Sequence, residues 1–470
     1  MLSHTPTAEE WRELYTLAKK QTMVGIAFCG VEKLPVEQRP QRVMLFQWCT
    51  AAERIKSLNE EMDRKTLAVA NKFLEEGFPG VVLKGQGMAQ LYNVERSTVN
   101  SQRTMEGDTL ACTKTKTKTP TRDECFGLTQ NTQNTQNYKS LHGEECDLNS
   151  QNTHTQACAS HPDGELCLTQ TTQKYNNDDE DENADAGGAS VATAVGLSAL
   201  RSAACSPSHP EGTLNSKLYT LNTQLGHYRT PGDIDIWLHG ERDEILEYVR
   251  RHIPDCKPVY HHVDFPVLDD VSIEVHFTPT WMNSPLRNRR LQRFFHSFYS
   301  QFSNFNSSEL PVPNNAFNRI YILVHIYRHL FAEGVGLRQL LDYYFVLKQG
   351  FTEVEREETL RTLRSLGMMR FTRAVMWVLQ EVFGMPDRYL LTSPDAKEGR
   401  FLLDEIMLAG NFGKYDERMQ RVEGEGTFRW GLRKVLRNFR FVRSYPSEVL
   451  WSPIFKVWHL FWRKKHLWCG

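Results

Sequence analysis

The sequence predicts an α/β (α+β) fold: a small mixed sheet, helices before it, an all-helical domain after it, and a long disordered insert. Three observations carry this expectation. Short strand patterns occur at Val81-Val-Leu, at Ile234 and at Val271 to Phe277. Apolar residues at helical spacing dominate the first 73 residues and almost everything from Asn314 onward. Between the first two strand patterns, residues 93–226 show almost no apolar periodicity.

In chain order, Thr7-Ala-Glu-Glu10 reads as a capped helix start, followed by Trp11, Leu14, Tyr15 and Leu17 on one face. Arg42 to Phe73 is long, charged and amphipathic, one or two helices that deliver the chain to the first strand. After the insert come the Ile234 strand, a helix over Glu241 to Arg251, a strand near Val259 to Val263, and the strand around Glu274. Beyond Asn314, Phe317, Ile320, Leu323, Val324 and Tyr327 share one helix face, and Phe371, Val375, Val378 and Phe383 another. Breaks fall near Met385-Pro386 and Gly424 to Gly426. The expected division is 1–92 for the N-terminal helices and the start of the sheet, 93–226 for the insert, 227–313 for the rest of the sheet, and 314–470 for the helical domain.

The most informative stretch is Gly232-Asp-Ile-Asp-Ile236. In a strand, Asp233 and Asp235 point the same way while Ile234 and Ile236 face the core. Two carboxylates this close repel unless a cation lies between them, and Mg²⁺ takes oxygen ligands together with substrate phosphates. The pair therefore points to metal-dependent phosphoryl or nucleotidyl transfer; an edge strand with both acids facing water is the plain alternative. Upstream, Phe78 to Gly87 gives a strand, a glycine turn and a helical start, where Gly85, Gln86 and Gly87 can approach a phosphate and Lys84 can reach it. Downstream, Ser272, Glu274 and His276 alternate with Ile273, Val275 and Phe277, so Glu274 adds a third carboxylate, as base or as ligand to a second metal.

The series VLKGQGMAQLY, YRTPGDIDIWL and IEVHF resembles the bacterial family of uncharacterised nucleotidyltransferases, which belongs to the DNA polymerase beta-like superfamily. Glu10 to Gln21, Gly334 to Asp342 and Tyr445 to Trp451 fit the same family. The resemblance implies a nucleotidyltransferase core. Asp233 and Asp235 would hold Mg²⁺ (Mn²⁺ as the alternative), and Glu274 would complete the catalytic carboxylates. Lys84, Gly85, Gln86, Gly87 and Arg229 would bind the nucleotide. The substrate would be an NTP and the acceptor a hydroxyl on a small molecule, protein or RNA. Two rivals stay open: a catalytically silent protein that binds nucleotide or a partner, and a surface adaptor.

The departure from the family is the insert, which replaces a brief connection rich in proline and arginine. It repeats Thr, Gln and Asn, carries the acidic run Asp178 to Glu182, and is expected to be disordered; a β-prone segment that aggregates or binds a partner is the alternative. Overall charge is balanced, 56 basic against 57 acidic residues, but residues 97–225 hold nine and sixteen of these, leaving a mildly basic body suited to phosphates. The ten cysteines form no C-x-x-C pair or recurring spacing, so no disulfide framework is expected. No run of eighteen apolar residues occurs, and Met1-Leu-Ser-His lacks a signal-peptide pattern; the expected location is the cytoplasm.

Other residues allow two readings each. His325 and His329, at i and i+4, either hold a metal or pack together. Arg338 and Asp342 form an ion pair or line the cleft. Arg229 contacts a triphosphate or sits on the surface. His276 supports Glu274 or touches substrate. From Phe428 to Trp468 there are ten Lys or Arg against one acid, Glu448, interleaved with five tryptophans. This tail contacts nucleic acid or a membrane surface, or packs its aromatics on the body with the basic groups outward.

Overall fold

A computed structural model describes residues 2–93, 225–268, 271–299, 309–418 and 420–467. Apart from residues 93, 225 and 226, the insert and its expected disorder lie outside the described residues.

The chain begins with α1 (Ala8–Lys20), whose start is fixed by a reciprocal cap: the Glu10 amide donates to Thr7 Oγ1 (3.2 Å) and the Thr7 amide to Glu10 (2.7 Å). Trp11, Leu14 and Ala18 turn inward. Helix α2 (Val24–Val31), VGIAFCGV, is apolar all round and buried at every position. Helix α3 (Arg42–Glu75) is one continuous helix that buries Trp48, Ala52, Met62, Val69 and Phe73 along a single stripe.

The four-stranded sheet has the order β1-β2-β4-β3, with β1 Gly80–Val82, β2 Ile234–Leu238, β3 His262–Asp264 and β4 Ile273–His276. β1 runs antiparallel to β2, β2 parallel to β4, and β3 antiparallel to β4, so the sheet is mixed. Short α4 (Gln86–Ala89) follows β1, and α5 (Arg242–His252) begins the crossover between β2 and β4. A parallel pair needs such a crossover.

The pleat sends alternate residues into different surroundings. Ile234, Ile236, Leu238, Val263, Ile273 and Val275 pack with Val69 and Phe73 of α3 and with Ile245 and Val249 of α5. On the opposite face Trp237 meets Phe295 of α6 (Pro285–His296) at 6.2 Å and Phe317 of α7 (Asn315–Ala332) at 5.7 Å between ring centroids. The polar site residues share this second face, so the sheet lies between an apolar layer and the helical body.

That body continues through α8 (Leu337–Lys348), α9 (Glu353–Ser365), α10 (Met369–Phe383), α11 (Ala396–Ala409), α12 (Thr427–Asn438) and α13 (Pro446–Leu467). One apolar cluster joins Leu14 and Trp48 of the N-terminal helices to Phe317, Leu341, Phe371 and Phe441, so both ends of the chain share a core. The aromatic tail docks only in part. Phe455, Trp458 and Trp462 surround Tyr260, and the single acid, Glu448, is buried against the Asn283 amide (2.8 Å). Leu450, Ile454, Val457 and Phe461 stay exposed. No helix among the described residues is long and apolar enough to cross a membrane.

Candidate functional site

Register builds the site. Asp235 lies opposite Glu274 on the parallel neighbour, and Glu274 lies opposite Asp264 on the far side, which sets three acids in a row across one face. The next row holds Trp237, His276 and His262. Asp233 immediately precedes β2. The turn after β1 brings Lys84 over this surface, because the Leu83 amide donates to the Asp235 carbonyl (2.9 Å) and extends the β1–β2 pairing by one residue.

Asp235 is the centre, with no solvent exposure. Its Oδ1 lies 3.1 Å from Lys84 Nζ and 3.1 Å from His276 Nε2. Its Oδ2 is buried with no hydrogen-bond partner. A buried carboxylate oxygen left without a partner is costly, and a bound cation removes that cost. His276 Nε2 also lies 3.3 Å from Glu274 Oε2, and His262 Nδ1 sits 3.3 Å from the same oxygen.

The charges shape one another. Burial, then the Asp235 charge, pushes the Asp233 carboxyl up to about 6, partly offset by Lys84. Burial would also raise Glu274, but His262, His276 and Lys84 outweigh it and hold that carboxyl well below its usual range. Burial favours neutral Lys84, yet Asp235, Glu274 and Asp233 together raise it. His276 is likewise raised against burial by its bonds to Asp235 and Glu274, whereas burial takes His262 down to about 4.

The glycine turn is used for close packing. Gly85 has φ +65°, and a Cβ there would stand 3.2 Å from the Asp233 carbonyl oxygen; at Gly87 it would stand 2.8 Å from the Val82 carbonyl oxygen. The Gln86 side chain donates to Asp63 of α3 (2.7 Å).

Arg229 is not on the surface: it is buried at 3% exposure with Nε and Nη2 on the two oxygens of Asp342 (2.7 and 2.8 Å), and Tyr92 donates to that same carboxylate. The physical reason is desolvation: a buried guanidinium takes a fork-shaped partner where one is in reach. Arg338 is therefore not paired to Asp342 through its helix. It donates to the Thr230 carbonyl (2.8 Å), makes no ion pair among the described residues, and is lowered to about 10 by burial and then by Arg229. It belongs to the charged surroundings of Asp233. Arg328 stands 3.4 Å over the Trp281 ring. His325 and His329 stack edge to face at 4.3 Å, with His329 beside Glu333, and belong to none of the ligand-like groups among the described residues.

The carboxylates and imidazoles form a set of the kind that holds a divalent ion. Asp235, Glu274 and His276 each offer a donor atom within 4.8 Å of the other two. The surroundings of the orphaned Asp235 oxygen fit such an ion. A fold and site of this class agree with the family comparison: the model described as "uncharacterised nucleotidyltransferase" matches residues 7–96 and 223–384, more than half of the chain, and breaks where the insert lies. The chain belongs to that nucleotidyltransferase family. Comparison with curated proteins and with solved structures gave no match.

Proposed function

We propose that this chain is a nucleotidyltransferase of the DNA polymerase beta-like kind, moving a nucleoside monophosphate from an NTP to an acceptor hydroxyl. The observation that carries the reading is the buried, unpartnered Oδ2 of Asp235, in register with Glu274 and two residues beyond Asp233 in the chain. Asp233 and Asp235 would hold Mg²⁺, or Mn²⁺ in its place, and the bound ion would neutralise charge on the nucleotide phosphates.

The chain's own groups do the rest. Lys84 is the cation closest to the acids and would meet the phosphate tail once a nucleotide draws it from Asp235. Arg338, with no carboxylate of its own, would supply the second positive charge that was expected of Arg229. Glu274 stays ionised, so it can accept the hydrogen bond and then the proton of the acceptor hydroxyl. The acceptor oxygen bonds to the α-phosphorus, the bond to the β-phosphate oxygen breaks, and pyrophosphate leaves. The acceptor is a small molecule, protein or RNA.

A second reading has its own support. Lys84 and His276 already neutralise Asp235, so a silent protein that binds nucleotide without turning it over would keep the same contacts. Pyrophosphate release separates the two. Wild type supplied with Mg²⁺, each NTP and a cell extract should release pyrophosphate, and Asp235→Asn should lose more than about 100-fold of that rate. Nucleotide binding without release by wild type would favour the silent protein.

A further inference from the structure

Beside the carboxylates lies a second cluster that the transfer chemistry does not need. His261, His262 and His276 each present a ring nitrogen within 4.8 Å of the other two. Register explains two of them, since His262 is the antiparallel partner of His276. The third arrives because the chain enters β3 irregularly: the Phe277 amide donates to the His261 carbonyl (2.8 Å), and the adjacent rings lie 4.2 Å apart, with His262 Nδ1 3.0 Å from His261 Nε2. Successive residues of a regular strand would have pointed to opposite faces.

Two further observations point to a ligand. His261 and His276 are 8% and 3% exposed, and the Nδ1 atoms of both are buried without a hydrogen-bond partner. Asp235 and Glu274, within 3.3 Å of His276, also place negative charge on one side of the cluster. Lys84 and Arg328 add positive charge around His261, so the site has to gain from ligand bonds as well as from charge.

The geometry points to a zinc-type site made by His261, His262 and His276, adjoining the carboxylate set and coupled to it through the shared His276. Three imidazoles offer nitrogen and no oxygen, a donor set that suits Zn²⁺ or Co²⁺ and is poor for Mg²⁺. Tetrahedral bonds of about 2.1 Å put ligand nitrogens about 3.4 Å apart, so nitrogens already within 4.8 Å of one another have a short distance to close. His276 meets Asp235 and Glu274 through Nε2, so coordination through its unpartnered Nδ1 leaves those contacts in place and ties the ion to the carboxylate set through one ring. The inference adds a site to the nucleotidyl-transfer reading and does not rest on it.

The test is calorimetric titration of Zn²⁺ into full-length, tag-free, chelator-treated protein held in excess Mg²⁺, with the visible spectrum of the Co²⁺ form as a second readout. Wild type should bind one tight equivalent more than His261→Ala or His262→Ala, and Asp235→Asn should keep that equivalent. His261→Asn, together with circular dichroism of each variant, guards against a folding defect. Zinc uptake by cysteines elsewhere is common to all variants and cancels in the difference. Equal stoichiometry and affinity in wild type and the histidine variants overturns the site. Loss of the same equivalent in Asp235→Asn also overturns it, because the ion would then belong to the carboxylates. Pyrophosphate release measured in Mg²⁺ without zinc reports on the transfer reading separately.

Discussion

At the scale of single residues, the site depends on which charges find partners. Asp235 has two cationic neighbours on one oxygen and none on the other, while Arg229 meets both oxygens of Asp342. Replacing Asp342 by Asn would leave Arg229 buried without its counter-charge, and breaking a buried pair in this way costs about 3–5 kcal/mol. Urea denaturation of Asp342→Asn should show that loss; a change below about 1 kcal/mol would mean that Arg229 is free to serve a ligand instead. This pairing leaves no mark in the sequence, because the partners are 113 positions apart and each alone resembles any surface charge. The acids were legible for the opposite reason. Asp235 and Glu274 stand in short alternating strands and Asp233 immediately precedes one, where period two suggests the face.

At the scale of elements, the sheet is held from its apolar side by α3. Phe73, fully buried, packs between Tyr248 (5.8 Å) and Phe265 (5.4 Å). Phe73→Ala should cost about 3–5 kcal/mol, read from the denaturation midpoint at constant slope. A near-neutral result would show that α3 does not clamp the sheet. Helix α3 was visible from its amphipathic stripe, and the start of α1 from its cap. Helix α2 was not, because an all-apolar run of eight has no polar face to reveal a period. His261 carries no such signal for a related reason: it is brought near His276 where the Phe277 amide donates to the His261 carbonyl at the entry to β3, not by spacing along the chain.

Over the whole molecule, N-terminal and C-terminal helices share one core, and buried ion pairs tie its far end together. Asp416 accepts from Arg418 (2.7 Å) and from Arg437 of α12 (3.2 Å). Burial pushes its carboxyl up, but these arginines outweigh burial and the net shift is downward. A depressed folded value means stability that is complete above the unfolded carboxylate pKa of about 3.9 and is lost as pH falls through the folded value. The stability gap between wild type and Asp416→Asn should therefore narrow from pH 7 to pH 3; a constant gap would mean that the charge of Asp416 contributes nothing. The family match breaks between residues 96 and 223, yet residues on both sides meet at one surface, as Lys84 and Asp235 show. Closing a long loop costs little more than closing a shorter one, which is why such an interruption is compatible with an assembled site. This surface is proposed to transfer a nucleotide. The most direct measurement supplies an NTP labelled at its α-phosphate, with Mg²⁺ and a cell extract, to wild type and to an Asp233→Asn, Asp235→Asn double variant. Label on an acceptor with wild type alone is the predicted result, and equal labelling by both proteins would contradict it.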